Sequence, residues 1–287
     1  MSALLMPGKS AWRYIVPVIL LYLINYSLFS QNLTDPQRDR ENIFIARIKQ
    51  FNEFVDRFNH KSDFNGNPAD SAFRVKMPRE RMIPLLFDLE DPRIRLSGDE
   101  YSDTYVKLKE VFTEHVVSNN ILLDKYSPGI IAEASARVIY NGEPQRIRLF
   151  LVQETSGNNS VKWVLKDAKG DILNIFKTDT SMVRFIAPSS NETDFINLRR
   201  ALEDTDHLNY YASKDYDPDF LTLFFYFIKA GIIKYEYIEE VIYHITDIPG
   251  WYLKVKEFNR NELNSGWLIT DIARNEYGIT EFIDKLK

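Results

Sequence analysis

The sequence predicts an α+β protein in which helices precede an antiparallel meander, and this order occurs twice. Apolar residues recur every three or four positions in the first part of each half, which indicates helices. They alternate with polar residues in the second part, which indicates strands. The segment WVLKD at 163–167 also returns as WLITD at 267–271. Together these observations predict two modules, residues 31–190 and a shorter one at 191–287.

Composition allows a substantial core and excludes several kinds of partner and chemistry. The chain has 287 residues, 45% of them hydrophobic, and a net charge of −5. Without a positive field to attract phosphates, a nucleic acid partner is not expected. The chain has no cysteine, which excludes disulfides, thiol catalysis and thiolate metal sites.

The first thirty residues have the layout of a secretory signal peptide. Lys9 and Arg13 precede an apolar run at 14–24, and a polar stretch follows. Cleavage is expected to leave Gln31 as the first residue. The alternative is an uncleaved N-terminal anchor, which would be the protein's only contact with a membrane. In both cases the body of the protein is expected in the periplasm or cell envelope.

Three helices are predicted before the first meander. The first covers about 41–59, and one face of it is apolar at spacings of four and three: Phe44, Ile48, Phe51, Val55 and Phe58. A loop containing Gly66 and Pro68 follows. The second helix is predicted at about 79–89 and the third at about 102–117.

The first meander begins near residue 130, where the apolar period changes to two. Asn141 and Gly142 are the residue types that a two-residue hairpin loop requires. Further strands are predicted around 147–151 and 161–167, and short ones at 172–176 and 182–187. The region therefore reads as an antiparallel sheet.

The second module repeats this order with a shorter helical part. Asp217 is expected to cap a helix that starts at Pro218 and is apolar nearly all round. Val138 to Tyr140 match Val241 to Tyr243 at an offset of 103 (241 − 138). Trp163 and Asp167 match Trp267 and Asp271 at an offset of 104 (267 − 163). We therefore predict an internal duplication, with each tryptophan in the core against its own module's leading helix.

This pattern resembles the nuclear-transport-factor-two-like and cystatin-like superfamily. The resemblance is carried by Phe51 and Phe54 in the first helix and by the strand sequences VIY at 138–140, RLFLVQE at 148–154 and KWVLKD at 162–167. It implies helices packed into the concave face of a bent sheet, forming a cone. The tandem form with a leader resembles exported proteins of Bacteroidetes-type bacteria. Because the superfamily includes isomerases, cyclases, dehydratases and non-catalytic binders, the fold does not choose a function.

Asp167 and Asp271 are the candidate catalytic residues. Each follows its tryptophan by four residues, on the same face of an unbroken strand, so a partly desolvated carboxylate there would suit a general base. Tyr140 and Tyr243 are the candidate partners. We expect instead that both aspartates end a strand and bond to the backbone of the following turn, which leaves no catalytic residue.

No metal or cofactor site is expected. The acidic segments at 63–67 and 215–220 begin like calcium loops but lack the glycine and the glutamate that such loops need. The four histidines are widely separated. Arg137, Arg146 and Arg148 share one face of the first hairpin, where a solvated basic face is expected and an anion site is the alternative.

The sequence thus predicts an exported, non-enzymatic binding or interaction module, whose partner is an unidentified protein or small ligand. One alternative is an enzyme of the isomerase or dehydratase kind in a cone pocket. The other is a membrane-anchored subunit of an envelope secretion machine.

Overall fold

A computed structural model describes residues 51–95, 100–157, 160–174, 219–261 and 264–275, together with residues 202, 203, 205, 208, 211 and 283. All of them belong to one compact unit, Phe44–Lys287. The predicted leader and the predicted boundaries near 30 and 190 lie outside the described residues. None of the helices in the described part of the chain is long and apolar enough to span a bilayer.

Most of the helices precede the sheet. Helix α1 is described over 51–58, and the others are α2 (Ser71–Lys76), α3 (Arg79–Met82), α4 (Pro92–Arg95), α5 (Glu100–Ser118) and α6 (Phe220–Lys229). A 3₁₀ turn at Ile83–Leu86 continues α3. The predicted helices near 79 and 102 are confirmed, although the first of them ends earlier than predicted.

Two local predictions are wrong. Helix α6 is capped by Asp219, whose carboxylate accepts the Leu221 backbone N–H at 3.0 Å, so the helix begins after the predicted cap. Asp217 and Pro218 lie outside the described residues. A strand is predicted at 172–176. The first two of these residues belong instead to a 3₁₀ turn, Asp171–Leu173.

The described residues contain six strands, which form a single antiparallel sheet. They are β1 (Ile130–Tyr140), β2 (Glu143–Thr155), β3 (Val161–Lys169), β4 (Ile233–Ile245), β5 (Trp251–Phe258) and β6 (Gly266–Arg274). Their order is β3-β2-β1-β4-β5-β6. The α+β class and the two meanders are confirmed. The arrangement as two cones is not, because β1 pairs with β4 and joins the meanders edge to edge. This pairing satisfies backbone groups that two separate meanders would leave open.

The loop between β1 and β2 confirms the predicted hairpin. Asn141 and Gly142 have φ values of 51° and 83°, as a two-residue loop of the I′ type requires.

The repeat in the sequence corresponds to a repeat in strand register. Trp163 pairs with Gln153 and Trp267 pairs with Glu257, an offset of 104 on both strands (257 − 153). A β-bulge follows Phe150 in the first meander and Lys254 in the second, again 104 apart (254 − 150). Because β1 and β4 are antiparallel, an approximate two-fold axis relates the two meanders.

Helices pack mainly across the repeat. The core beneath α1 and α5 is completed by β5, β6 and the end of β4. In contrast, α6 packs Phe224 and Phe227 against residues of the first meander, including Val138 and Ile147. The Trp267 ring contacts Phe51 of α1 with centroids 5.8 Å apart. Trp267 therefore packs on the first module's leading helix, which the sequence did not predict, because β1–β4 pairing places the second meander beneath the first helices.

Candidate functional site

Trp163 and Trp267 occupy equivalent strand positions but differ in exposure. Trp267 is 2% exposed, whereas Trp163 is 39% exposed. The prediction that Trp163 lies in the core is wrong. Trp163 lies on the edge strand β3, whose only strand partner among the described residues is β2. A half-exposed tryptophan beside buried aromatic rings marks this end of the sheet as a candidate binding site.

Beside Trp163 is a pocket of about 160 Å³. Nine residues line it, and we call them the aromatic cleft: Phe51, Asn52, Lys125, Tyr126, Gln153, Val161, Lys162, Trp163 and Tyr243. Pockets for drug-sized ligands measure about 300–1,000 Å³. The aromatic cleft is therefore suited to one ring or a single side chain and not to an extended small molecule.

The floor of the cleft is a stack of buried rings. Phe51 and Tyr243 are stacked with centroids 3.7 Å apart, and Tyr243 meets Trp267 edge-on at 4.9 Å. Tyr243 is 2% exposed, and burial raises its pKa well above the ordinary value. Its hydroxyl is therefore protonated at neutral pH and cannot act as a base there. The floor is therefore apolar and offers no proton acceptor of useful strength.

The mouth of the cleft combines aromatic and polar groups. The Trp163 ring lies 6.2 Å from Tyr243 and is tilted by 48° from it. Tyr126 is 55% exposed, and the Lys125 ammonium lies 4.8 Å from its ring centroid. Gln153 is buried and donates to the Lys125 carbonyl at 2.8 Å, which fixes this loop against β2. The opening is thus held in place before a ligand arrives.

The two candidate aspartates lie within strands and bind the backbone. Asp167 Oδ1 accepts the Ala168 N–H at 2.7 Å, and Asp271 Oδ1 accepts the Ile272 N–H at 3.1 Å. Asp271 also pairs with Arg93 at 3.0 Å. The predicted bonds to backbone are present. The predicted position at a strand end is wrong, because β3 and β6 each continue past the aspartate.

The bulges also overturn the expected face of these aspartates. Asp167 pairs with Phe150, whereas Trp163 pairs with Gln153, so the two pairs lie an odd number of residues apart on β2. Because side chains alternate along a strand, Asp167 points away from the helix-covered face on which Trp163 lies. Asp271 and Trp267 are separated in the same way. Neither aspartate lines the aromatic cleft.

The two candidate tyrosines lie at different places. Tyr243 forms the floor of the cleft. Tyr140 lies at the far end of β1, where its ring stacks against Phe227 of α6 with centroids 6.4 Å apart. The structure therefore brings Tyr243 close to Trp163. Neither tyrosine shares a face of the sheet with Asp167 or Asp271.

A buried polar chain on the opposite face escaped the sequence reasoning. His244 Nε2 lies 2.8 Å from a Glu133 oxygen, and His244 Nδ1 lies 2.9 Å from the Tyr252 hydroxyl. Arg148 pairs with the other Glu133 oxygen at 3.5 Å. Glu133 and His244 belong to the two central strands, 111 residues apart (244 − 133). Each strand contains several polar residues, and no local signal set Glu133 and His244 apart from the others.

The charge state of this chain follows from its burial. Burial lowers the pKa of His244 below its ordinary value, although the Glu133 carboxylate opposes this. Burial by itself raises the pKa of Glu133, but the hydrogen bond with His244 and the positive charges of Arg148 and Lys254 outweigh it, and the pKa lies below its ordinary value. At neutral pH the chain therefore contains a neutral imidazole, an ionised Glu133 and a neutral Tyr252.

The predicted basic face is a set of ion pairs. Arg137 pairs with Glu236 at 3.2 Å, and Arg146 pairs with Glu239 at 2.6 Å. Arg137 and Arg146 face each other directly across β1 and β2, and Glu239, which also approaches Arg137 at 3.6 Å, offsets their repulsion. Arg148 pairs with Glu133. The side chains of Arg137 and Arg146 remain accessible to solvent, as expected of a solvated basic face. Carboxylates from β1 and β4 pair with all three guanidinium groups, which argues against the alternative of an anion site.

Within the described ranges, no group of three histidine, aspartate or glutamate side chains could hold a metal ion. The Asp63 carboxylate accepts the backbone N–H groups of Asn65 and Asn67 at 2.9 and 2.8 Å. That carboxylate shapes its own loop, and the segment at 215–218 lies outside the described residues.

No protein-family model, curated protein or solved structure matches this chain. The resemblance to the cone superfamily therefore stays a prediction.

Proposed function

We propose that this protein is an exported, non-enzymatic binding module and that the aromatic cleft is its ligand site. The observation that carries the proposal is the half-exposed Trp163 beside the stacked Phe51 and Tyr243 rings. Tryptophan and tyrosine supply large contact areas with little loss of conformational entropy, and they dominate binding sites in proteins. A fixed aromatic cleft of this size favours a single six-membered ring.

The ring is that of a sugar or of an aromatic group. Both present a flat, weakly polar face that packs on an indole, and both have hydroxyl or other polar groups at the edge. Asn52, Lys125 and Lys162 at the rim supply donors for such groups. The ligand is thus either a free molecule that contains one ring or a larger partner that inserts one ring into the cleft.

Two further features support export and binding without chemistry. Lys9 and Arg13 before an apolar run favour a cleaved leader. The bonds that Asp167 and Asp271 make to the backbone favour a structural role for both. The helix-covered antiparallel sheet is consistent with a cone-like fold of the nuclear-transport-factor-two-like kind, in which non-catalytic binders are common.

Ligand titration followed by NMR tests the proposal. The protein is titrated with methyl glucoside, N-acetylglucosamine and phenol, and with sorbitol as an acyclic control, while the Trp163 indole N–H signal is recorded. Trp251 is buried, does not line the cleft and provides an internal reference. At least one ring compound is expected to shift the Trp163 signal at concentrations at which sorbitol does not.

Variants make the test specific. Binding to the variants, which lack the Trp163 indole, is followed through the backbone N–H signals of Gln153 and Lys162 in the cleft. Trp163→Ala is expected to abolish binding, and Trp163→Phe is expected to retain part of it because a ring face remains. Val75→Ala removes an exposed apolar side chain outside the cleft and is the matched control. The proposal is wrong if no ring compound moves the Trp163 signal, or if Trp163→Ala binds as the wild type does. Turnover of a bound ring compound that is lost in Asp167→Asn or Asp271→Asn would favour the enzyme.

A further inference from the structure

The outer edge of β6 is closed by groups from the same chain. The Trp267 carbonyl accepts an N–H of the Arg57 guanidinium at 3.1 Å. The Ile269 carbonyl accepts the Asp88 backbone N–H at 2.9 Å, beside a parallel bridge between Phe87 and Ile269. Backbone groups that an edge strand would leave unpaired are thus satisfied here.

The equivalent groups on β3 are open. The repeat relates Trp163 to Trp267 and Leu165 to Ile269, each at an offset of 104 (267 − 163 and 269 − 165). In the described part of the chain, no residue donates a hydrogen bond to the carbonyl of Trp163 or of Leu165. Of the two related edges, the described residues therefore close only the one at β6.

The ladder between β2 and β3 determines which backbone groups point outward from this edge. The Ser156 N–H donates to the Ser160 carbonyl at 2.8 Å, so these two residues form a hydrogen-bonded pair. Hydrogen-bonded and non-hydrogen-bonded pairs alternate along an antiparallel ladder. Val161, Trp163 and Leu165 therefore belong to non-hydrogen-bonded pairs, and their N–H and C=O groups point away from β2.

The open edge borders the aromatic cleft. Val161, Lys162 and Trp163 are consecutive residues of β3, and all three line the cleft. In a strand added to this edge, the residue that pairs with Trp163 has its side chain on the same face of the sheet as Trp163. That face is the one on which the cleft lies, and the cleft volume of about 160 Å³ suits one ring.

The segment that closes β6 indicates what kind of group would close β3. Phe87 has an extended backbone, with φ −81° and ψ 152°, where it bridges Ile269. Its side chain is buried, and the ring meets Phe112 with centroids 6.0 Å apart. At its closed edge the sheet therefore accepts extended backbone together with one aromatic side chain.

A second copy of β3 fits this edge less well than a different chain does. The Trp163 ring already lies 6.2 Å from Tyr243 of its own cleft, so pairing of two β3 strands would leave both clefts without a new ring. Lys162 and Lys166 are both exposed, and lysines on an edge strand disfavour pairing with a strand of the same charge.

We propose that the open edge of β3 binds an extended segment of another protein, which adds a strand beside residues 161–165 and inserts one aromatic side chain into the aromatic cleft. Main-chain hydrogen bonds supply the affinity, and the cleft supplies the specificity. This inference rests on the proposed function, because it uses the same cleft. It narrows the ligand from any ring compound to a ring carried on a peptide backbone.

Fluorescence anisotropy with a defined peptide tests the inference. The probe is a short fluorescein-labelled peptide in which threonine and valine alternate around one central phenylalanine, and it is titrated with the full chain. We expect a Kd at least about tenfold lower than that of N-acetylphenylalaninamide, measured by displacement, because the amide lacks most of the main-chain hydrogen bonds. Alanine in place of the central phenylalanine should raise the Kd by about tenfold or more.

N-methylation of the peptide separates strand pairing from ring binding. In the added strand, the N–H of the second residue after the phenylalanine points to β3, whereas the N–H of the first residue after it points away. Methylation of the second residue should raise the Kd by about tenfold or more. Methylation of the first residue is the matched control and should change the Kd little.

A variant of the protein removes one outward donor. Val161→Pro eliminates an outward N–H at the first residue of β3, where a strand tolerates proline. It should weaken binding of the peptide more than binding of a free ring compound. Val161→Thr retains the N–H and is the control, and circular dichroism checks that both variants are folded.

The outcomes distinguish this inference from the proposed function. If ring compounds shift the Trp163 indole signal but the two methylated peptides bind alike, or the alanine peptide binds as the phenylalanine peptide does, the inference is overturned and the proposed function stands. If neither ring compounds nor the peptide bind, both are overturned. Self-association of the protein that Val161→Pro abolishes would assign the edge to a second copy and would also overturn the inference.

Discussion

Replacing Trp267 with alanine is expected to destabilise the protein far more than the same change at Trp163. Trp267 is 2% exposed and packs edge-on against both Phe51 and Tyr243. Truncating a buried tryptophan removes its transfer free energy and leaves a cavity, which together cost about 3–5 kcal/mol. Trp163 is 39% exposed, and water can fill the space that it leaves. Its loss is expected to cost about 1–2 kcal/mol.

Urea unfolding followed by circular dichroism measures both values, because that signal does not depend on the removed indole. For Trp267→Ala the midpoint should fall steeply at an unchanged slope, which would show that stability and not compactness has changed. Trp267→Phe is the control that retains a ring and should recover more than half of the loss. Equal losses at the two positions, or a larger loss at Trp163, would show that the two tryptophans are equivalent core residues and would refute the account of the aromatic cleft.

Other outcomes follow from separate features. Burial lowers the pKa of His244 below its ordinary value of 6.5. As the pH drops below about 6.5, this imidazole takes up a proton in the unfolded chain before it does so in the native chain, so the free energy of unfolding should fall. His244→Gln should lessen that fall in urea melts recorded from pH 7 to 5, and an unchanged slope would contradict the burial argument. Gly142→Ala should cost about 1–2 kcal/mol by thermal melting because φ is positive there, whereas Gly157→Ala, also in a turn but without positive φ, should cost less. Mass spectrometry of the native protein should find Gln31 or a near neighbour at the N-terminus, and intact Met1 in the membrane fraction would favour the anchor.

Features set by local signals were predictable from the sequence. The hairpin loop at Asn141 and Gly142 follows from the need for positive φ at both positions. Helix α5 follows from apolar spacing along one face, and the two meanders follow from alternation. In each case the residues that determine the element lie within a few positions of one another.

Features set by pairing between distant strands were not predictable. One extra residue at each bulge turns Asp167 and Asp271 to the opposite face, and nothing in WVLKD or WLITD marks that residue. The polar chain of Glu133 and His244 depends on the register between β1 and β4. The exposure of Trp163 depends on which meander each helix covers, and α1 packs mainly on the second one. The sequence therefore indicated the residue types of the candidate site but not which tryptophan would face the solvent.

The pairing of β1 with β4 has a consequence for how the chain folds. Ala132 and Tyr243 are neighbours in the sheet but 111 residues apart in sequence (243 − 132). Such non-local pairing is slow, because the entropy of closing a long loop is lost before the contacts form. Until residue 245 is available, the edge of β1 that later meets β4 remains open, and a fragment ending between the meanders would expose it to aggregation. The middle of this sheet is therefore completed only after most of the chain has been synthesised.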